Sequence, residues 1–164
     1  MTCVVSKLPA CHIIPESLIE FTIKRVRSVI TYQETSYHRR TSSPSLTKLV
    51  KRVIRKCRIQ TPTLLVALIY IDRLQKYLPV QAVGSSTTGH RIFLASLILA
   101  SKFHDDASLW CADIARIVSK YWGVSEINEM ERVFLNYVKF DLWVDNSELR
   151  NYMQDKHIHI NIDY

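Results

Sequence analysis

With 164 residues, 48% of them hydrophobic and 23% charged, the chain can bury one sizeable core, and three glycines leave little room for glycine-rich loops or serial hairpins. No run approaches the roughly 18 apolar residues that cross a bilayer, and Lys7 and Pro9 interrupt "MTCVVSKLPACHII" before a secretory core develops, so an intracellular protein of the nucleus or cytoplasm is expected. The net charge of +7 comes from residues 1–60, where 12 of the 22 Lys and Arg meet 3 of the 15 Asp and Glu; such a stretch can attract nucleic acid, acidic membrane or phosphorylated partners, but more often keeps a helix face solvated.

Helical periodicity runs between the prolines at 15, 44, 62 and 79 and the glycines at 84, 89 and 123, predicting about six helices. "PESLIEFTIKRVRSVIT" reads as a first amphipathic helix with proline in its opening turn, followed by the loop-like "YQETSYHRRTSS". Ser43 and Pro44 open a second, "LTKLVKRVIRKCR", whose Leu46, Leu49, Val50, Val53 and Cys57 form a stripe beneath a basic face. Thr61 and Pro62 read as cap and first turn of "TLLVALIYIDRLQKYL", which is apolar around most of its circumference and so belongs in the middle of a bundle. In "HRIFLASLILASKF", Ala95, Ser96, Ala100 and Ser101 are small enough for neighbouring helices to approach closely, so it too is predicted to be central. "LWCADIARIVSKYW" is a shorter helix ended by Gly123. Ser125 is the predicted cap of "EINEMERVFLNYVKF", where Glu126 and Glu129 suit the positive end of the helix dipole, and the tail "DNSELRNYMQDKHIHINIDY" can supply a last short helix.

Two charges stand on faces that otherwise look buried. Lys102 follows Ile98 and Leu99 by one turn, and Glu131 falls between Val138 and Leu135 on the apolar stripe of its helix. An ion buried without a partner costs several kcal/mol. Three readings follow: the two form a salt bridge in the bundle or snorkel to water; they sit at an apolar surface patch and bind a partner's backbone; or they are an acid/base couple in a pocket. The last lacks any nucleophile with an ordered His/Asp neighbour, any HExxH and any phosphate-cradling loop. Locked together deep inside the bundle, or held on opposite sides of it, the two ions could serve no partner.

Other features point to structure. Cys3, Cys11, Cys57 and Cys111 show no CxxC spacing and read as reduced core thiols. His157 and His159 lack the carboxylate or cysteine pattern of a metal site and read as surface histidines. Asp72, among Leu65, Leu68 and Ile69, needs a cation, for which Arg52 or Arg55 of the preceding helix is the expected source.

"TPTLLVALIYIDRL", "TTGHRIFLASLILASKF" and "INEMERVFLNYVKFDLWV", in this order and spacing, resemble helices two, three and five of a cyclin box, most closely that of the fungal PCL-type cyclins, partners of the phosphate-regulon cyclin-dependent kinase. The resemblance implies an all-α fold: a five-helix box over residues 44–145, an extra N-terminal helix and polar loop over 1–43, and a short tail over 146–164. It implies a regulatory subunit that performs no chemistry and needs no metal or cofactor. It further implies that Lys102 and Phe103, Glu131 and Leu135, and Phe140 and Leu142 face the kinase, and it favours the partner-binding reading of the two charges. The Met-Arg-Ala-Ile-Leu substrate-docking pattern of cell-cycle cyclins is absent from "SLTKLVKRVIRKC". Beyond the kinase, phosphorylated or acidic substrates recruited by the basic third are the expected partners. The competing reading is a basic helical nucleic-acid-binding module with a cyclin-like fold, whose binding must fall steeply with salt.

Overall fold

The computed structural model describes residues 14–32, 43–105 and 111–160. Seven helices order the described chain: α1 (Glu16–Ser28), α2 (Leu46–Lys56), α3 (Thr61–Tyr77), α4 (Thr88–His104), α5 (Cys111–Val118), α6 (Val124–Tyr137) and α7 (Asn146–Asp155). A two-residue parallel pairing of β1 (Thr31–Tyr32) with β2 (Val83–Gly84) is the one addition to the all-α expectation among these residues.

Helices α3 and α4 form the centre. Residues 63–71 of α3 are buried without a break, as are residues 92–101 of α4. Ala95, Ser96, Ala100 and Ser101 are all at most 1% exposed, so the small side chains lie where α4 packs on α3 and α6. Around this pair, α1 and α2 cover one side, α5 lies on α6, and α7 lies on α3. No helix among the described residues is long and apolar enough to cross a membrane.

The helix starts differ from the expectation by one to two residues, for reasons of capping. The Ser45 hydroxyl, not Ser43, accepts from the Lys48 amide at the start of α2. In α3, Thr61 and Pro62 are already helical and Gln60 is the capping residue. In α6, Gly123 occupies the cap and the Glu126 carboxylate reaches back to accept its amide at 2.9 Å, so Ser125 lies inside the helix. The tail helix α7 forms behind Asp145, whose carboxylate accepts the amides of Ser147 and Glu148.

Asp72 requires a correction. Its carboxylate accepts Arg25 Nε of α1 at 2.5 Å and lies 3.3 Å from Lys156 Nζ past α7. Arg52 and Arg55 are exposed on the outer face of α2 and take no part. Sequence proximity pointed to the preceding helix, whereas the cations come from the first helix of the described chain and from the cap just past the last.

Of the cysteines, Cys111 is buried, Cys57 is partly buried and both are free, while Cys3 and Cys11 lie outside the described residues. His157 and His159 are exposed, and no cluster of metal-ligating side chains occurs among the described residues.

Candidate functional site

Lys102 sits in the last turn of α4, and Glu131 projects from the middle of α6 beside it. The Lys102 ammonium donates to both carboxylate oxygens of Glu131, at 2.7 and 2.8 Å. The side chains are 32% and 15% exposed, so the pair lies at the surface and not deep in the bundle. Two of the three readings therefore meet in one arrangement: the charges satisfy each other, and they remain accessible. Burial alone pulls the lysine pKa down, but the hydrogen bond and charge of Glu131 outweigh it, and the net shift is upward.

A third group joins the pair. Cys111, the first residue of α5, donates its thiol to Glu131 Oε2 at 3.0 Å and lies 3.8 Å from Lys102 Nζ. Burial first, and then the neighbouring carboxylate, push the thiol pKa up to about 11, so the sulfur stays protonated and acts as a donor.

Partly or fully exposed apolar side chains occur on the same helices and just past α6. Phe103 is 51% exposed with its ring 5.6 Å from that of His104, and Leu135 is half-buried on α6. Past α6, Lys139 (φ 54°) and Phe140 (φ 59°) both adopt the left-handed backbone conformation, which non-glycine residues enter at a cost of roughly 1–2 kcal/mol each. This turn leaves Phe140 66% exposed and Trp143 72% exposed. Leu142 does the opposite. It is only 9% exposed and belongs to the core, so its side chain offers nothing to a partner in this conformation. The two left-handed residues change the direction of the chain before it resumes an alternation in which Leu142 and Val144 point in and Trp143 points out.

Two residues of α3 hold that segment in place. The Tyr70 hydroxyl, fully buried, donates to the Leu142 carbonyl at 2.7 Å. Arg73 donates to the carbonyls of Asp141 and Trp143, each at 2.7 Å, and grips both oxygens of Glu148 at 2.8 and 2.9 Å. Three successive carbonyls are thus fixed from one central helix. Tyr70, Arg73 and Trp143 were not singled out from sequence, and Cys111 was read there only as a core thiol. Arg73 carried the one available signal: like its neighbour Asp72, it is a charge on an otherwise apolar helix.

The cyclin N-terminal domain family model matches residues 14–143. The chain belongs to the cyclin family. The match takes in α1 together with the five helices α2–α6, so the helix ahead of the box is part of the family domain. The cyclin is 41% identical to PHO85 cyclin-1 of Saccharomyces cerevisiae over 109 residues, 66% of this chain and 39% of that relative. PHO85 cyclin-9 and PHO85 cyclin-2 of the same organism are each 30% identical over 83% of this chain and 45% of their own length. The chain spans less than half the length of these curated relatives. Within the cyclin domain, Lys102 and Glu131 come from α4 and α6, the third and fifth of its box helices, as the resemblance implied.

Proposed function

We propose that this cyclin domain is the regulatory subunit of a cyclin-dependent protein kinase, of the kind that partners the PHO85 cyclins, and that Lys102, Phe103, Glu131, Leu135 and Phe140 contact the kinase. The observation that carries the reading is the Lys102–Glu131 pair, partly exposed, with exposed Phe103 next to Lys102 in the chain and exposed Phe140 just past the helix that carries Glu131. Pairing does not exhaust either group. An ammonium has three donors and a carboxylate about four acceptor positions; the third proton of Lys102 makes only a long 3.8 Å contact with the Cys111 sulfur, and Glu131 keeps acceptor capacity beyond Lys102 and Cys111, so both can meet a partner's carbonyls and amides. Mutual pairing also fixes both long side chains beforehand, which lowers the ordering cost of binding. Phe140 and the neighbouring Trp143 supply the aromatic anchors that interface energetics favour. Leu142, expected among the contacts, acts indirectly by seating this segment in the core.

Such a subunit performs no chemistry. It holds the kinase's regulatory helix where its glutamate pairs with the ATP-anchoring lysine, and it activates only if it binds that arrangement more tightly than the inactive one. The test is co-purification with the cognate kinase and assay of peptide phosphorylation for wild type, Lys102→Ala and Glu131→Ala. Loss of capture and activation by folded variants supports the reading, and undiminished activation by both removes it. The basic nucleic-acid reading has no observation in its favour beyond charge.

A further inference from the structure

The cations of α2 are used neither by the core nor by the proposed kinase contact. The helix carries Lys48, Lys51, Arg52, Arg55 and Lys56 and no acidic residue. At 100° per residue, Lys48, Arg52, Arg55 and Lys56 share one face, opposite the buried Leu46, Leu49, Val50 and Val53. All four are exposed, and none pairs with a carboxylate among the described residues. Lys51, at the edge of the face, pairs with Glu16. Arg27 of α1 lies against the start of α2 through Thr47, and Arg58 extends the basic run past its end, both exposed.

Solvation alone does not call for this pattern. A helix face kept wet by charge ordinarily mixes signs, whereas Lys48 with Arg52, Lys51 with Arg55, and Arg52 with Lys56 are like charges one turn apart, each destabilising to the helix. Compensation by an acidic ligand accounts for a face that repels itself. The geometry also selects among anions. A single phosphate is held by cations that converge on a point, but these are strung along about 12 Å of helix, with about 6 Å between Lys48 and Arg52. Alternate side chains of an extended peptide lie about 6.7 Å apart, which matches the stripe. No exposed aromatic residue is interleaved on α2 to stack against bases. Helix α2 packs on α5, with Cys57 at its end close enough to feel the charge of Asp113, and the first residue of α5 touches Glu131, so α5 links the helix that carries the stripe to the proposed kinase contact.

We propose that the exposed basic face of α2, formed by Lys48, Arg52, Arg55 and Lys56, captures a carboxylate-rich extended segment of the proteins that the bound kinase phosphorylates. This rests on the reading of the chain as a kinase subunit. It places substrate selection on the helix where cell-cycle cyclins carry an apolar docking pattern and this chain does not.

The experiment uses the full chain, alone and with its kinase, as wild type, as Lys48→Glu/Arg52→Glu/Arg55→Glu and as Lys48→Gln/Arg52→Gln/Arg55→Gln. Fluorescence anisotropy measures binding of a labelled peptide with alternating glutamates. Each exposed charge contact contributes a factor of about two, so affinity is expected to fall about tenfold in the glutamine variant and further in the glutamate variant. With the kinase, KM for a phosphoacceptor peptide carrying the glutamate run rises comparably, while kcat and the kinetics of the same peptide without the run stay at wild-type values. Unchanged KM and anisotropy in both variants overturn the proposal. So does tighter binding of a singly phosphorylated peptide lacking carboxylates, or of a 12-nucleotide single strand, lost in the same variants. A wild-type chain that activates no kinase sinks the functional reading instead, and the anisotropy result still decides whether the face binds acidic peptide.

Discussion

The Lys102–Glu131 pair can be tested for two roles at once with a double-mutant cycle of Lys102→Ala, Glu131→Ala and the double variant, read by urea melts and by kinase affinity. At 2.7 Å the bare attraction of two unit charges is about 1.5 kcal/mol in water and about 6 kcal/mol at an effective dielectric near 20. The lysine is one-third exposed, so the pair lies closer to the surface regime, and desolvation of Glu131 offsets part of the gain. We expect a coupling energy of about 1–2 kcal/mol, above a fully exposed pair and below the 3–5 kcal/mol lost when a buried pair is broken. The single losses should be unequal. Without Glu131 the ammonium can swing into water, whereas without Lys102 the more buried carboxylate keeps, among the described residues, only the Cys111 thiol as a side-chain donor. Lys102→Ala should therefore cost more, by about 0.5–1 kcal/mol. Because the lysine pKa is raised above its ordinary 10.5 on folding, the pair's contribution is complete at neutral pH and is lost only as pH climbs through the raised value. Measured at pH 7, each single substitution should also weaken kinase binding by about 2 kcal/mol or more, beyond any loss of folded population. Variants that melt earlier as calculated but bind and activate the kinase like wild type would refute the docking role and leave the pair purely structural.

Arg73→Met should cost about 2–3 kcal/mol in urea melts, because it strips a mostly buried cation from two carbonyls and Glu148, and activation should fall further as residues 141–143 lose their anchor. Lys139→Gly should raise the melting temperature, a gain of about 0.5–1 kcal/mol from relieving left-handed strain, with activation retained. Trp143→Ala, at a 72% exposed position, should leave the melting temperature within about 2 °C of wild type and lower kinase affinity if the aromatic is an anchor. Burial holds the His90 imidazole below its usual pKa, against the partial opposition of its hydrogen bond to the Pro44 carbonyl, so the unfolded chain binds the proton more readily. Stability should fall as pH drops through about 6.5, and His90→Gln should flatten that slope in thermal melts between pH 7.5 and 5.5.

Periodicity carried the central architecture. An α3 apolar around most of its circumference and an α4 studded with small residues left few options but the middle of the bundle, and the two misplaced charges, Lys102 and Glu131, are found paired with each other and partly exposed. What escaped was set by three-dimensional neighbours. Asp72 meets cations 47 residues earlier and 84 residues later along the chain, beyond any local pattern. Leu142 was assigned outward because its place in the family motif says nothing of two consecutive left-handed residues just before it. Cys111 looked like one more core thiol, and its part in the site shows only in its 3.0 Å approach to Glu131 and 3.8 Å approach to Lys102. The helix caps slipped because Ser43, Thr61 and Ser125 are good capping residues placed one or two positions from the residues that perform the task.

The segment after α6 concentrates what a fold ordinarily avoids: two strained backbone positions, and two large aromatics left in water within four residues. Neither feature lowers the energy of the isolated chain. Tyr70 and Arg73, which fix three consecutive carbonyls from one of the two central helices, hold the segment in this shape against its own preferences. Strain kept in place by the core is a device for presenting side chains at a fixed angle, and a partner that covers Phe140 and Trp143 recovers the apolar burial that folding alone leaves undone. On this argument the firmness of α3 is a requirement of binding as much as of stability, so substitutions at Tyr70 or Arg73, which touch no partner, should weaken activation more than equally destabilising substitutions at Leu64 or Leu65, elsewhere in the same helix.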